Sequence, residues 1–318
     1  MDALGISPTH GLTRMWKPLL LTLAVLTLLS PATSEAGLGA WLARHLPGGG
    51  QDVAPPPPSA TVAYGDDPRQ RIDVWQPRKP NPAPLVVFVH GGAWKYGSKT
   101  HAASRWLPGH LAELGYAYAA IDYRLVPAVT VEQQAEDVAH ALRALLDRAP
   151  QLGIDRTKIV LMGHSAGAHL VALVGTDERY LRAADLGFAD LDGVIANDGA
   201  AYDVPMQIHD APRRLRKTYT EVFGKDPARQ LALSPVQHAA APNARAFLLL
   251  HVQRPDGVRQ AAVLGTALRS AGTAVDFASF PGKGLRGHLR INRELGNPDY
   301  APTAVVDAWL RKIFGQAE

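Results

Sequence analysis

The sequence predicts an α/β fold in which a mostly parallel sheet is covered by helices on both faces. Short apolar stretches that are typical of strands alternate with amphipathic stretches that are typical of helices along residues 61–314. The stretch at 85–89 is apolar throughout, as a strand buried on both faces must be. The chain has 318 residues, 47% of them hydrophobic, so it is long enough to bury a large core.

The predicted elements follow in chain order within one domain at 61–318. Strands are expected at 61–64, 71–75, 85–89, 116–123, 159–162, 191–197, 246–252 and 275–280. Helices are expected at 106–114, 132–148, 166–174, 261–271 and 303–314. The first two strands surround turn residues and predict an antiparallel hairpin at a sheet edge. Residues 203–240, which we name the lid segment, are too long for an ordinary connection and predict a small inserted lid.

The residues before this domain predict an exported protein. Residues 1–36 have the layout of a secretory signal peptide, with basic residues, a short apolar run at 19–29 and small residues before Gly37. The run is short for a transmembrane span, so we expect no stable membrane association after cleavage and a periplasmic or secreted protein. An uncleaved anchor is the alternative, and Met15 is an alternative start. Residues 37–60 are rich in glycine and proline and predict a tether.

The composition excludes several classes of function. The formal net charge is +4 and the basic residues are scattered, which argues against nucleic-acid binding. No cysteine is present, so disulfides, a thiol nucleophile and cysteine-ligated metals are excluded. No metal-ligand motif or phosphate-binding glycine loop is found, and we expect neither metal nor cofactor. Basic residues at 213–217 of the lid segment fit either a solvated surface or steering of anionic substrates. The oligomeric state is left open.

The sequence Gly-His-Ser-Ala-Gly at 163–167 points to nucleophilic chemistry. It follows an apolar strand and begins an apolar helix, which predicts a sharp turn with the hydroxyl of Ser165 exposed. Gly163 and Gly167 suit such a turn because strand and helix approach closely there. A helix-capping serine is the alternative interpretation.

A nucleophilic serine needs a base and a carboxylate that orients it. In parallel sheets, sites form at the carboxyl ends of the strands. Asp256 and His288 each follow a predicted strand, and with Ser165 they stand in the order Ser, Asp, His. We therefore predict His288 as the base and Asp256 as the acid. The alternative acids are Asp203 and Asp276, and the alternative histidines are His90, His169 and His251.

Backbone amides are predicted to bind the oxyanion that forms when the serine attacks. Ala166 supplies one amide, directly after the nucleophile, and Gly91, Gly92 and Ala93 supply others from a glycine-rich turn. Trp94 is expected beside this turn, either as a wall of an acyl pocket or as a core aromatic residue.

The sequence His-Gly-Gly-Ala-Trp at 90–94, together with Gly-His-Ser-Ala-Gly-Ala-His-Leu at 163–170, resembles the α/β-hydrolase carboxylesterases of the hormone-sensitive-lipase type. The similarity is greatest to the arylformamidase and bacterial feruloyl-esterase-like branch. Ala93 stands where the lipase branch usually has a third glycine, and His164 where it usually has aspartate; both departures favour the formamidase-like branch. His164 is therefore taken, with Trp94, as a candidate substrate-binding residue.

The resemblance implies an α/β-hydrolase fold and a serine carboxylesterase that hydrolyses small or aryl esters through an acyl-enzyme. Cleavage of aryl formamides is the alternative reaction. A binding protein that kept the fold without catalysis is the alternative of another class.

Overall fold

In a computed structural model, the chain is described over residues 55–102 and 105–316. The predicted signal peptide at 1–36 and most of the predicted tether at 37–60 lie outside the described residues. Within those residues, no helix combines the length and the apolar character that crossing a bilayer requires.

An eight-stranded sheet organises the described part of the chain. Its strands are β1 (Ala60–Ala63), β2 (Arg71–Trp75), β3 (Ala83–Val89), β4 (Ala117–Ile121), β5 (Ile154–His164), β6 (Gly193–Asn197), β7 (Ala246–Val252) and β8 (Ala274–Phe280). The spatial order is β1-β2-β4-β3-β5-β6-β7-β8. The two pairs that involve β2 are antiparallel and all the others are parallel. The predicted mostly parallel sheet is thus confirmed, with β3 and β5 at its centre.

Helices cover both faces of this sheet. They are α1 (Lys99–Ala102), α2 (Leu107–Glu113), α3 (Val131–Asp147), α4 (Ala149–Leu152), α5 (Ala166–Thr176), α6 (Glu178–Ala183), α7 (Val204–Asp210), α8 (Arg213–Phe223), α9 (Pro227–Ala232), α10 (Pro255–Ser270), α11 (Gly284–Arg293) and α12 (Ala301–Ile313). Helices α3, α5 and α10 pack on one face and α2, α11 and α12 on the other.

Alternating side chains of the central strands pack into the two hydrophobic cores, one on each face of the sheet. Val87 and Leu161 join the core under α3 and α5, while Val86 and Met162 join the core under α2 and α12. All four are fully buried. Burying each such side chain contributes about 2 kcal/mol, which explains why these strands are apolar at every position.

Two differences from the predicted elements move candidate site residues. Helix α10 begins at Pro255 rather than near residue 261, because proline suits the first helical position, where no intrahelical N–H bond is made. Asp256 therefore lies in the first turn of a helix instead of a loop. His288 lies inside α11, which the sequence analysis did not predict.

The lid segment consists of α7, α8, α9 and a short 3₁₀ turn at Pro235–His238, between β6 and β7. Asp203 caps the first of these helices, since its Oδ1 accepts from the amide of Met206 at 2.9 Å.

A close backbone contact lies where β5 passes into α5. A Cβ added to Gly167 would stand 2.1 Å from the carbonyl oxygen of Val89 and 2.6 Å from that of His90. A Cβ added to Gly163 would stand 2.3 Å from the carbonyl oxygen of Gly167. These are backbone atoms that cannot rotate away, so only glycine fits at either position.

We therefore expect Gly167→Ala to lower the free energy of unfolding by 3 kcal/mol or more, on the order of the largest overpacking effects. The matched control is Gly109→Ala in α2, where an added Cβ meets nothing within 4 Å. There the better helix propensity of alanine is expected to stabilise by about 0.5–1 kcal/mol. Urea unfolding of the three proteins measures both changes, and equal midpoints for the wild-type and Gly167→Ala proteins would contradict the packing argument.

Candidate active site

Ser165 stands on a strained turn between β5 and α5. Its backbone angles are φ 56° and ψ −117°, a region that costs on the order of 1–3 kcal/mol for a residue other than glycine. Its own amide donates to the carbonyl oxygen of Asn197 at 3.1 Å, which ties the turn to the end of β6. The surrounding backbone holds the strain, and the side chain of Ser165 stays partly accessible.

His288 reaches Ser165 from α11. Its Nε2 lies 2.9 Å from Ser165 Oγ, and its Nδ1 lies 2.6 Å from Oδ2 of Asp198. Because a carboxylate only accepts, Nδ1 carries the proton and Nε2 is left free to accept from the serine hydroxyl. The sequence-predicted serine and histidine are thus brought together, with the tautomer that proton removal from Ser165 requires.

The carboxylate at His288 is Asp198 and not the predicted Asp256. Asp256 Oδ2 instead accepts from Nη1 of Arg254 at 2.8 Å, and its side chain is 28% exposed. The physical reason is that the helix already begins at Pro255, which places Asp256 in its first turn, against the guanidinium of Arg254. The alternative acids are also engaged elsewhere: Asp203 caps α7, and Asp276 accepts from Trp309 Nε1 at 3.1 Å.

Asp198 is held rigidly at the end of β6. Its amide donates to the carbonyl oxygen of Leu250 at 2.8 Å, and its Oδ1 accepts from the amide of Val252 at 3.1 Å, so both contacts come from β7. Its φ of 46° is a left-handed conformation that aspartate tolerates better than most residues. Burial by itself raises the pKa of Asp198, but the hydrogen bond from His288 and the nearby charges outweigh it and lower the pKa to about 2.

A sequence signal for Asp198 existed and was missed. The residue directly follows the predicted strand at 191–197, and the rule that sites form at carboxyl ends of strands applies to it as it does to Asp256.

The glycine-rich turn after β3 faces Ser165. A Cβ added to Gly91 would stand 3.0 Å from Ser165 Cβ, which places this turn against the nucleophile. Gly92 and Ala93 both have positive φ, 127° and 52°, and within the described residues their amides make no backbone hydrogen bond. Ala166 is the first residue of α5, where an amide has no intrahelical acceptor. Gly91 therefore lies beside Ser165, Ala166 follows the serine directly in the chain, and Gly92 and Ala93 continue the turn that begins at Gly91.

Trp94 lies in the core and offers almost no surface to a ligand. It is 2% exposed, and its ring packs edge-on against Phe223 and Tyr219 of α8 at centroid distances of 4.8 and 6.1 Å. Its Nε1 donates to Nδ1 of His169 at 3.3 Å, and His169 in turn donates to the carbonyl oxygen of Leu233. Of the two expected roles, the structure supports the core aromatic residue, which anchors α8 to the glycine-rich turn.

His164 contacts His288 and not an open pocket. It is 4% exposed, its Nε2 donates to the carbonyl oxygen of His288 at 3.0 Å, and the two rings lie 4.5 Å apart. Burial, reinforced by the neighbouring His288, lowers the pKa of His164 to about 3, so it stays neutral near pH 7. The structure thus places His164 behind the reacting histidine as a support, in disagreement with the predicted substrate-binding role.

The remaining candidate histidines face other groups. His90 donates from Nδ1 to the carbonyl oxygen of Gly91 at 2.7 Å and stacks on Tyr123, which shapes the glycine-rich turn. His251 Nδ1 lies 3.3 Å from the carbonyl oxygen of Val252. Among the residues that the structure describes, no group of three or more histidine, aspartate or glutamate side chains is arranged to hold a metal ion.

Comparison with known proteins places this geometry in a family. Residues 72–258 match the family described as BD-FAE, which is more than half of the chain. Three curated relatives share sequence with the chain. Esterase LipC of Mycobacterium tuberculosis is 32% identical over 70% of this chain and 58% of its own length. The probable isoprenylcysteine alpha-carbonyl methylesterase ICME of Oryza sativa subsp. japonica is 42% identical over 35% of this chain and 27% of its own length. Kynurenine formamidase of Drosophila melanogaster is 39% identical over 36% of each chain.

The match therefore spans less than two thirds of each of these relatives. Among solved structures, esterase B of Lactobacillus rhamnosis superimposes with a TM-score of 0.66 at 21% identity, over 82% of this chain and 88% of that one. At that identity the superposition supports the fold alone, and it agrees with the α/β-hydrolase fold that the sequence predicts.

The two buried histidines predict how stability depends on pH. Burial lowers the pKa of His164 to about 3 and that of His169 to about 4, from an ordinary value of 6.5. Both take up a proton on unfolding between pH 6.5 and about 4, so the free energy of unfolding falls as the pH is lowered through this window. The expected loss is on the order of 3 kcal/mol for each histidine.

Urea unfolding at pH 7, 5.5 and 4.5 measures this loss. His164→Gln is expected to flatten the dependence by about one histidine's share, whereas the control His140→Gln, at an exposed position of α3, is expected to leave it unchanged. The same slope in all three proteins would show that neither buried histidine takes up the proton.

Proposed function

Because this chain belongs to the BD-FAE family, we propose that it is a serine hydrolase that cleaves small carboxylic esters. The observation that carries the proposal is the continuous contact from Ser165 Oγ through His288 to the buried carboxylate of Asp198. The similarity to the relative named as esterase LipC supports the same reaction class.

The geometry supplies each step of ester hydrolysis. Ser165 Oγ attacks the ester carbonyl carbon while His288 Nε2 takes the hydroxyl proton, and Asp198 stabilises the imidazolium that results. Collapse of the tetrahedral intermediate breaks the bond to the alcohol oxygen, which receives the proton from His288. Water then attacks the acyl-enzyme with His288 again as base, and the acid and free Ser165 are released.

In both tetrahedral intermediates, the amides of Gly92, Ala93 and Ala166 bind the oxyanion. Gly91 leaves room for the substrate beside Ser165. Each such donor is worth on the order of 10²–10³ in rate, because it is fixed before charge develops.

Cleavage of aryl formamides is the second candidate, favoured by the similarity to a kynurenine formamidase over about a third of the chain. The same nucleophile and base serve an amide, but the leaving amine needs its proton earlier. Comparing turnover of N-formylkynurenine with that of aryl and feruloyl esters separates the two reactions. A binding protein without catalysis is the candidate of another class, and failure of a fluorophosphonate to label Ser165 would favour it.

If Ser165, His288 and Asp198 form the triad, replacing Asp198 should lower kcat far more than replacing Asp256. Ser165→Ala is expected to lower kcat for a p-nitrophenyl ester by at least about 10⁴-fold, and Asp198→Asn by about 10⁴-fold, because an amide in that place favours the wrong tautomer of His288. Asp256→Asn is the matched control and is expected to lose less than about tenfold at pH 8, since it does not contact His288.

These values come from steady-state kinetics on variants whose folding is checked by circular dichroism. A crippled Asp256→Asn enzyme beside an active Asp198→Asn enzyme would return the acid role to Asp256. Turnover at the wild-type rate in Ser165→Ala would contradict the mechanism.

We further propose export, on the sequence of residues 1–36 alone. Expression in a Gram-negative bacterium is expected to yield periplasmic protein that begins at Gly37. N-terminal sequencing checks this, and a first residue at Met1 or Met15 would overturn cleavage.

A further inference from the structure

The acid of the proposed triad shares its carboxylate with a second cation. Arg254 lies between the end of β7 and α10, with only 13% of its side chain exposed. Its Nε donates to Asp198 Oδ2 at 3.1 Å, the same oxygen that accepts from His288 Nδ1. The carboxylate therefore divides its charge between a permanent cation and the imidazole.

Arg254 is itself held by a second carboxylate. Its Nη1 donates to Asp256 Oδ2 at 2.8 Å, and its Nη2 donates to the carbonyl oxygens of Asp198 and Gly199 at 3.3 and 3.2 Å. Each nitrogen of the guanidinium thus donates at least one hydrogen bond, and the charge of Arg254 is shared between Asp198 and Asp256. A buried arginine that lost one of these partners would turn more strongly to the other.

The contact continues into the lid segment. Gln207 of α7 donates to Asp256 Oδ2 at 3.4 Å and lies 3.3 Å from the hydroxyl of Tyr219 on α8, whose ring packs against Trp94. The series from His288 to Tyr219 links the acid to the helices of the lid segment.

We propose that Arg254 is a positioning residue that limits how strongly Asp198 supports the protonated form of His288, and that Asp256 sets this limit by holding Arg254 back. The kinetic part of this proposal rests on the proposed function, whereas the arrangement of charges is a property of the folded chain.

The signs of the effects follow from the charges. Removing the positive charge of Arg254 leaves Asp198 to His288 alone, which favours the imidazolium and raises the pH at which His288 loses its proton. Removing the negative charge of Asp256 releases Arg254 toward Asp198, which disfavours the imidazolium and lowers that pH. A role limited to holding the loops together would lower stability or activity without moving the two midpoints in opposite directions.

Other groups that face His288 stay constant across this comparison. His164 of β5 is neutral and lies 4.5 Å away between ring centres. On α11, Arg290 pairs with Glu294 and lies over the ring of Tyr300, which precedes α12. The charge of Arg254 acts on His164, but burial keeps His164 neutral, so its effect on His288 is the same in every variant.

The experiment measures the midpoint of His288 in the full chain by two readouts. The first is the acid limb of kcat/KM for a p-nitrophenyl ester, or of the rate of fluorophosphonate labelling. The second is NMR titration of ¹⁵N-histidine-labelled protein, with His288 assigned by its loss in His288→Gln. Arg254→Met is expected to raise the midpoint by about one pH unit and Asp256→Asn to lower it by about half a unit.

Two further variants serve as controls. Arg254→Lys keeps the charge and is expected to return the midpoint to within about 0.3 units of wild type, although it loses the fork of donors. Arg259→Met removes an exposed arginine of α10 that pairs with Asp210 and is expected to shift the midpoint by less than about 0.2 units, because solvent screens that charge.

Opposite shifts in Arg254→Met and Asp256→Asn support the proposal. Shifts of the same sign, or unchanged midpoints with reduced activity, overturn it. If Arg254→Met does not fold, the direction in Asp256→Asn decides, because that side chain is partly exposed. An enzyme that keeps its activity in Ser165→Ala refutes the proposed function instead, and the NMR midpoints still test the charge arrangement.

Discussion

The site depends on the close approach of two backbones where β5 enters α5. Gly167 lies against the carbonyl oxygens of Val89 and His90 at the end of β3, where no side chain fits. This contact seats α5 on the sheet and holds Ser165 in its strained conformation. The same contact places the turn at Gly91 beside Ser165. The distance between the serine and the amides that face it is therefore set by core packing, and not by a flexible loop.

The same sheet geometry explains the position of the acid. β6 is the direct neighbour of β5, so Asp198, which follows the last residue of β6, lies close to Ser165. Hydrogen bonds with Leu250 and Val252 of β7 fix the position of Asp198. Asp256, one strand farther from the serine, cannot occupy the same place while Arg254 stands before it. Asp256, the carboxylate that the order of residues in the chain favours as the acid, is thus the partner of Arg254.

What the sequence could predict was mostly local. The apolar strands, the Gly-x-Ser-x-Gly turn and the glycine-rich turn after β3 are patterns within a few residues, and the structure has them where they are expected. Four aspartates follow or lie in strands near the site, and only the tertiary arrangement shows that Asp198 faces His288. His164 was misplaced, and the role of Trp94 was left open between a pocket wall and the core, for a related reason. Whether a ring faces solvent or a neighbouring ring depends on α11 and α8, which pack there from distant parts of the chain.

The charges around His288 have a consequence for the reaction that no single contact shows. With His288 neutral, Asp198, Arg254 and Asp256 together carry one net negative charge. When His288 takes the proton of Ser165, the cluster becomes neutral as a whole, so its charge balance is better during the reaction than at rest. Without the guanidinium, the negative charges of Asp198 and Asp256 would have no permanent cation between them. The arginine between the two carboxylates therefore offsets part of their charge, while the proton transfer to His288 still improves the charge balance of the cluster.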